Sequence, residues 1–174
     1  MTLCSQQIEA PAGADGLIAG VAAAIESRSG ASASAPPRGS SRTKDNRIEI
    51  AVVGAHLSGL PLNRELVELG ASFSREVETT PDYRLFALPG SSPPKPGLLR
   101  VGDRAGAAIK AEVWRLDPAG FGAFVAKIPG PLGIGTIRFK DGPAVKGFLV
   151  EAEAVKAAED ISHFGGWRAY LKSR

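Results

Sequence analysis

The sequence predicts an α+β fold, and three features of its composition support that prediction. The chain has 174 residues, which is close to the usual length of one domain. Hydrophobic residues make up 44% of it and charged residues 22%, as in ordinary globular proteins. It contains 21 glycines and 13 prolines, so much of its length must lie in turns and loops, which argues against a helix bundle. We therefore expect one core built from strands with some helix.

The N-terminal part of the chain differs in character from the rest. Residues 15–27 have apolar side chains at helical spacing, which predicts a short helix that is either marginal by itself or ordered by a partner or neighbouring subunit. Residues 29–46 (SGASASAPPRGSSRTKDN) are small, polar, proline or charged, as is typical of a flexible linker. We therefore divide the chain into an N-terminal helical arm (1–28), that linker, and a folded domain (47–174).

The folded domain is predicted to open with a strand, a glycine loop and a helix. Residues 47–53 (RIEIAVV) pass from alternation into a β-branched run, which is typical of a strand that enters a core. Residues 54–59 (GAHLSG) follow as a turn bracketed by glycines. Pro61 suits the first position of a helix, and Gly70 suits its C-terminal stop.

The remaining elements follow from shorter patterns. We expect strands at 73–77, 83–88, 98–101, 108–116, 133–139 and 144–150, the last two joined by a turn at 140–142. The proline-rich residues 89–97 predict an extended surface loop. Asp117 is expected to cap a short helix over 118–125. Residues 151–160 are predicted to be helical, and residues 161–171 to pack as a tail.

Charge and residue content argue against several classes of function. The net charge is +3, but lysine and arginine are interleaved with acidic residues, so we expect no nucleic acid partner. One cysteine and two histidines provide neither a disulfide within the chain nor metal-ligand spacing, and we expect no metal and no other cofactor. No apolar run approaches the roughly 20 residues of a membrane helix. No basic leader precedes the first apolar run, and we expect a cytoplasmic protein without membrane contact.

His56 is the most informative polar residue. It lies in the loop where a buried strand opens onto a helix, and the N–H groups of such a loop suit an anion. A histidine there can orient the anion or transfer a proton near neutral pH, or it can simply hydrogen-bond the loop. Ser58 lacks the Gly-x-Ser-x-Gly context of a nucleophile, so bonding to the turn backbone is its expected role. Asn63 lies near enough to the loop to contact a ligand.

Glu112 is the second candidate for acid or base chemistry. Apolar residues flank it on a predicted strand, so its side chain either points inward or is paired or exposed at an edge. An inward carboxyl with a raised pKa would suit proton transfer.

A series of motifs in fixed order makes the sequence more specific. They are VGAHLSGLPLN (53–63), FALPG (86–90), PKPGL (94–98), EVW (112–114), PLGIG (131–135), VKGF (145–148) and GGWR (165–168). Together they resemble the C-terminal domain of allophanate hydrolases over nearly all of residues 47–171. The resemblance implies a fold similar to γ-glutamyl cyclotransferases, an α+β mixed sheet or small barrel with flanking helices around one cavity.

The resemblance also bears on cyclotransferase activity. In those enzymes a Tyr-Gly-Ser/Thr-Leu type loop after the first strand holds the substrate, and residues 54–57 match its place. Here Val53 stands for the tyrosine and His56 for the Ser/Thr. The catalytic glutamate of the cyclotransferases should fall near residues 124–128, which read FVAKI. The sequence therefore argues against that activity.

The family's chemistry implies a role in urea and allophanate metabolism. Allophanate hydrolases pair this domain with an amidase domain, whose Ser-Ser-Lys triad releases ammonia from allophanate and leaves N-carboxycarbamate. The C-terminal domain is credited in some members with decarboxylating that product, with the loop histidine implicated. The chain does not reproduce the amidase signature, so we expect it to release no ammonia from allophanate.

Two functions stay open from the sequence. The first is a stand-alone, metal-free decarboxylase for N-carboxycarbamate or a related small anionic substrate, with His56 and Glu112 as catalytic residues lining one cavity. The expected substrate-binding residues are Gly54, Ala55, Leu57, Ser58, Gly59 and Asn63, with the amides of residues 57–59 cradling a carboxylate. The second is a non-catalytic binding or assembly module for a separate amidase subunit. The sequence leaves the oligomeric state open, a homodimer included.

Overall fold

The structure, a computed structural model, describes residues 45–174. Its strands are β1 (Ile48–Val52), β2 (Ser72–Glu78), β3 (Tyr83–Leu88), β4 (Lys95–Arg100), β5 (Lys110–Leu116), β6 (Leu132–Ile137), β7 (Val145–Val150) and β8 (Glu159–Asp160). Its α-helices are α1 (Asn63–Glu68), α2 (Pro118–Ala126) and α3 (Trp167–Lys172), and short 3₁₀ turns span Ala152–Val155 and Ser162–Phe164. The predicted arm and the linker up to residue 44 lie outside the described residues, so that part of the domain division stays a prediction.

The main sheet has five strands in the order β2-β5-β1-β7-β6. Its central strand, β1, is antiparallel to β5 and parallel to β7, so the sheet is mixed. The two outer strands approach each other beyond the sheet, where the N–H of Lys140 donates to the carbonyl of Glu78 at 2.9 Å and that of Thr80 to Arg138 at 3.0 Å. The sheet thus curls toward a small barrel, and the α+β class is confirmed.

A second, antiparallel sheet has the order β4-β3-β8. Its edge strand β4 includes Pro96. Proline has no N–H to donate, and on the outer side of an edge strand no neighbouring strand requires one. The prediction that residues 89–97 are entirely loop is therefore wrong at their C-terminal end. The predicted helix over 151–160 is also wrong, because the chain there makes one 3₁₀ turn and then pairs with β3 as β8. That pairing depends on a distant strand, which local sequence does not reveal.

The core lies around β1 and β5. The largest side chains buried to at least 98% include Ile50, Leu66, Tyr83, Leu85, Leu98, Ile109, Leu116, Ile137 and Ile161. The β-branched run of β1 is buried on both faces, as expected of a central strand. Trp167 and Tyr170 of α3 are each 3% exposed, so the C-terminal tail belongs to the core. Among residues 45–174, no helix is long and apolar enough to cross a membrane.

Two local predictions meet different outcomes. Asp117 caps α2 as predicted, since its Oδ1 accepts a hydrogen bond of 2.6 Å from the N–H of Gly120. Helix α1 begins at Asn63 and not at Pro61. The reason is that the preceding residues are held in turns, with the N–H of Leu60 donating to the carbonyl of Leu57 at 2.9 Å and that of Leu62 to Ala55 at 3.0 Å.

Candidate functional site

The loop between β1 and α1 is held in one shape by hydrogen bonds to its own backbone. The N–H of Leu57 donates to the carbonyl of Gly54 at 2.9 Å. The side-chain amide of Asn63 donates through Nδ2 to the carbonyl of His56 at 2.9 Å. Asn63 thus supports the loop and is not among the residues that line the cavity beside His56, and contact with a ligand stays a prediction.

His56 has three close neighbours. Its Nε2 lies 3.1 Å from Oε2 of Glu65 on α1. Because a carboxylate oxygen accepts, Nε2 carries the hydrogen of this bond. The imidazole stacks on Phe148 with centroids 5.4 Å apart, and the edge contact with Phe124 has centroids 5.1 Å apart. Burial lowers the pKa of His56 below its ordinary value of 6.5, and the Glu65 carboxylate offsets only part of that effect.

A small cavity opens beside His56. Its volume is about 180 Å³, and its walls are largely apolar. The lining residues are Val52, Val53, Gly54, Ala55, His56, Leu62, Glu65, Lys95, Pro96, Phe124, Lys127, Ile128, Pro129, Leu132 and Phe148. With about 30 Å³ per water molecule, the space equals about six water molecules, which suits a ligand of roughly that number of heavy atoms. The cavity is therefore lined by one histidine, one glutamate and two lysines among mostly apolar side chains.

Glu112 lies in a different place from the one predicted. Its Oε2 accepts hydrogen bonds from the N–H of Ser58 (2.8 Å), the hydroxyl of Ser58 (2.8 Å) and Nε1 of Trp114 (3.1 Å). Its Oε1 accepts from Nη2 of Arg168 at 2.7 Å. The side chain borders a second cleft of about 680 Å³ and not the His56 cavity. The prediction that His56 and Glu112 share one cavity is wrong, because these partners tie the carboxylate to the other end of the loop.

The protonation of Glu112 follows from the same contacts. Burial raises the pKa of this carboxyl, but the hydrogen bonds from Ser58, Arg168 and Trp114 outweigh burial and hold it below the ordinary value of 4.5. Glu112 is therefore an ionised carboxylate at neutral pH, and it has no proton to donate as a general acid. A raised pKa, the condition on which proton transfer by Glu112 depended, is not met in this environment, and the paired alternative describes the side chain.

The predicted anion cradle also changes position. The N–H groups of Leu57 and Ser58 are already engaged, with Gly54 and Glu112 respectively. Gly59 is exposed and adopts a φ of +73°, so it serves the turn. Two of the three amides of the cradle predicted from residues 57–59 are therefore already paired within the protein. The loop backbone that borders the cavity is residues 54–56.

The protein family follows from a match over most of the described residues. The model of the allophanate hydrolase C-terminal domain family matches residues 48–172. The chain belongs to this family. Urea amidolyase of Saccharomyces cerevisiae is 44% identical over 128 residues, which are 72% of this chain and 7% of that protein. Urea amidolyase of Lachancea kluyveri is 39% identical over 137 residues, which are 77% of this chain and 8% of that protein. The chain thus matches only a small part of these curated relatives' length.

Solved structures agree with this assignment. Kluyveromyces lactis allophanate hydrolase superposes with a TM-score of 0.70 at 40% identity, covering 74% of this chain and 21% of that one. A uropathogenic E. coli-specific protein superposes with a TM-score of 0.66 at 33% identity, covering 74% of this chain and 98% of that one. The resemblance to the allophanate hydrolase C-terminal domain and the α+β fold that it implied are both confirmed.

Sequence reasoning missed four charged residues of this allophanate hydrolase C-terminal domain, and one of them is Glu65, the partner of His56. Lys95 opens β4, and Lys127 follows directly after α2, so both reach the cavity from elements distant in sequence. Arg168 contacts the loop from α3. The motifs PKPGL and GGWR and the segment FVAKI each contained one of them, but as marks of resemblance and not of chemistry. Within residues 45–174, no group of three or more His, Cys, Asp or Glu side chains is arranged to hold a metal ion.

Proposed function

We propose that this domain decarboxylates N-carboxycarbamate, or a closely related small dicarboxylate, in the cavity beside His56. The observation that carries the proposal is the grouping of His56, Lys95 and Lys127 around about 180 Å³ of mostly apolar space. The family assignment adds support, because members of the family lie in proteins named for allophanate and urea.

The charges of the cavity suit a dianion of this kind. N-carboxycarbamate carries two carboxylates joined through a single N–H, and it is small enough for the available volume. The ammonium groups of Lys95 and Lys127 provide a cation for each carboxylate. The loop residues 54–56 border the same space, and backbone N–H groups of such loops can bind anions. In this arrangement the lysines select for negative charge, the carboxylate of Glu65 is paired with His56, and the apolar wall limits the length of the ligand.

The apolar wall has a second effect, on reactivity. Phe124, Phe148 and Leu132 replace water around a bound carboxylate. A carboxylate stripped of water loses part of the solvation that stabilises it, and its conversion to neutral CO₂ becomes easier. The carboxylate that reacts is the one against these side chains, and the other stays paired with an ammonium group.

His56 supplies the proton that this reaction consumes. The C–N bond breaks as CO₂ departs, and its electron pair stays on nitrogen. That nitrogen takes a proton from the imidazolium of His56, so the products are CO₂ and carbamate. The neutral imidazole then recovers a proton from solvent, and the cycle balances.

The protonation state of His56 changes with substrate binding in this scheme. In the free domain, burial favours the neutral imidazole. Binding of a dianion raises the pKa of His56, because negative charge nearby favours the imidazolium. Glu65 accepts from Nε2, so the proton for transfer enters at Nδ1. Glu65 thereby orients the ring and stabilises the charged form.

The direct test measures CO₂ release. An amidase that forms N-carboxycarbamate from allophanate supplies the substrate, and CO₂ is followed by membrane-inlet mass spectrometry with and without the purified chain. We expect the chain to accelerate CO₂ release without releasing ammonia from allophanate when the amidase is omitted. A folded chain that leaves the CO₂ rate at its spontaneous value would refute the proposal.

A second candidate is a binding or assembly module for an amidase subunit. It is favoured by one observation: the matched region is 7% and 8% of the two urea amidolyase chains, so in those proteins it is a small part of a longer polypeptide. Size-exclusion chromatography of the chain with an amidase would reveal such a complex. If the complex forms and His56→Asn neither weakens it nor alters the CO₂ rate, the assembly role is the better account.

A further inference from the structure

Three separate segments of the chain meet at the carboxylate of Glu112. The loop contributes Ser58, strand β5 contributes Glu112 itself and Trp114, and helix α3 contributes Arg168. The same Nη2 of Arg168 that donates to Glu112 at 2.7 Å also donates to the carbonyl of Ser58 at 2.7 Å. One guanidinium therefore holds both the carboxylate and the loop backbone.

These contacts fix the position of the loop because the carboxylate of Glu112 is almost completely shielded from solvent. The side chain of Glu112 is 4% exposed, whereas that of Arg168 is 44% exposed. A buried charge is tolerated only when its acceptors are satisfied, and here each oxygen has a partner. Moving Ser58 away would remove two of those partners together. The loop is thus bound to one position relative to β5.

The contacts at Ser58 reach His56 through a short piece of backbone. Ser58 follows His56 by two residues, and Leu57 between them is buried and donates to the carbonyl of Gly54 at 2.9 Å. The loop is therefore anchored at its start by β1 and at its far side by Glu112 and Arg168. His56 projects from the segment between these anchors, into the cavity on the Glu65 side.

We infer that Arg168 and Glu112 are positioning residues for the reaction proposed above, and that they hold the Ser58 side of the loop so that the imidazole of His56 stays packed in the cavity. The inference rests on the proposed function and changes the role expected of Glu112 from proton transfer to loop support. Arg168 is the better residue to test, because it is half exposed and lies on the last helix.

The experiment compares Arg168→Met, Arg168→Lys and the control Lys172→Met in the full chain. Lys172 borders the same cleft from the same helix and is exposed. The ¹H–¹³C spectrum of the histidines is recorded against pH, with His56 assigned from the His56→Asn variant. Malonate, in which a CH₂ replaces the N–H of N-carboxycarbamate, serves as the probe of the cavity, and its affinity is measured by calorimetry.

We expect Arg168→Met to weaken malonate binding about tenfold and to raise the pKa of His56 toward 6.5. The reason is that a loosened loop admits water to the imidazole. Arg168→Lys should recover part of both properties, since an ammonium restores the charge, but the lysine side chain differs in length and shape from the arginine that reaches both acceptors. The control should match the wild type in both measurements.

The inference is overturned if Arg168→Met lowers the melting temperature while the titration of His56 and the malonate affinity stay as in the wild type. Loss of both properties in the control as well would also overturn it. A wild-type chain that neither binds malonate nor accelerates CO₂ release would count against the proposed function. The titration of His56 in the variants would still decide whether Arg168 positions the loop.

Discussion

Replacing His56 by asparagine separates proton transfer from support of the loop. Asparagine keeps a hydrogen-bonding side chain but does not titrate near pH 7. In the structure the imidazole packs on Phe148 and Phe124, and each such aromatic contact is worth about 0.5 to 1.5 kcal/mol beyond its buried area. The substitution should therefore lower the free energy of unfolding by about 1 to 3 kcal/mol whatever its effect on chemistry.

The effect on turnover should be much larger than this loss of stability explains. If His56 donates the proton, the CO₂ release rate should fall by about 100-fold or more, which is the usual contribution of general acid catalysis. Folding is checked by circular dichroism, with a melting temperature lower by roughly 4 °C for each kcal/mol. The rate is measured below the melting temperature of the variant.

Ile109→Val provides the matched control for stability. Ile109 is fully buried, does not line the cavity, and its truncation should cost about 0.5 to 1.5 kcal/mol. This variant should lose a comparable part of its stability and keep the wild-type rate. A folded His56→Asn variant with an unchanged rate would refute the assignment of His56. An equal loss of rate in both variants would show that stability alone explains it.

Three further predictions concern the cavity. Replacing Lys95 and Lys127 together by methionine should weaken malonate binding by about tenfold or more in calorimetry, because both cations are lost. An unchanged affinity would show that the lysines do not bind the ligand. Burial lowers the pKa of His56, so the free chain loses its imidazolium as the pH rises through that lowered value. We therefore expect kcat/KM to fall with rising pH, with a midpoint below pH 6.5. A midpoint above pH 6.5 would contradict this prediction. Gly54→Ala should lower the free energy of unfolding by about 1 to 3 kcal/mol in urea titrations, because its methyl group meets a neighbouring proline ring. Gly133→Ala, where nothing lies within 4 Å, is the control, and equal losses in both variants would contradict the clash.

The sequence predicted the elements whose causes are local. Strand β3 has the predicted bounds because its alternation and its flanking turns lie within a few residues. Helix α2 has its predicted cap because Asp117 reaches an N–H three residues away. The loop histidine was likewise recognisable, since a glycine loop between a β-branched strand and a helix is a short pattern. The ordered motifs were also enough to indicate the family.

Only the tertiary structure decided which charged groups share a site. Glu112 lies 54 residues from Ser58 and 56 from Arg168, and no local pattern joins them. Lys95 and Lys127 reach the cavity because a second sheet and the end of α2 pack around the loop. The lowered pKa of Glu112 has the same origin, because two of the donors that outweigh burial, Ser58 and Arg168, come from distant parts of the chain. The sequence determines which side chains are present. The surroundings of each side chain, and hence its pKa and its partners, depend on contacts that form only when the chain has folded.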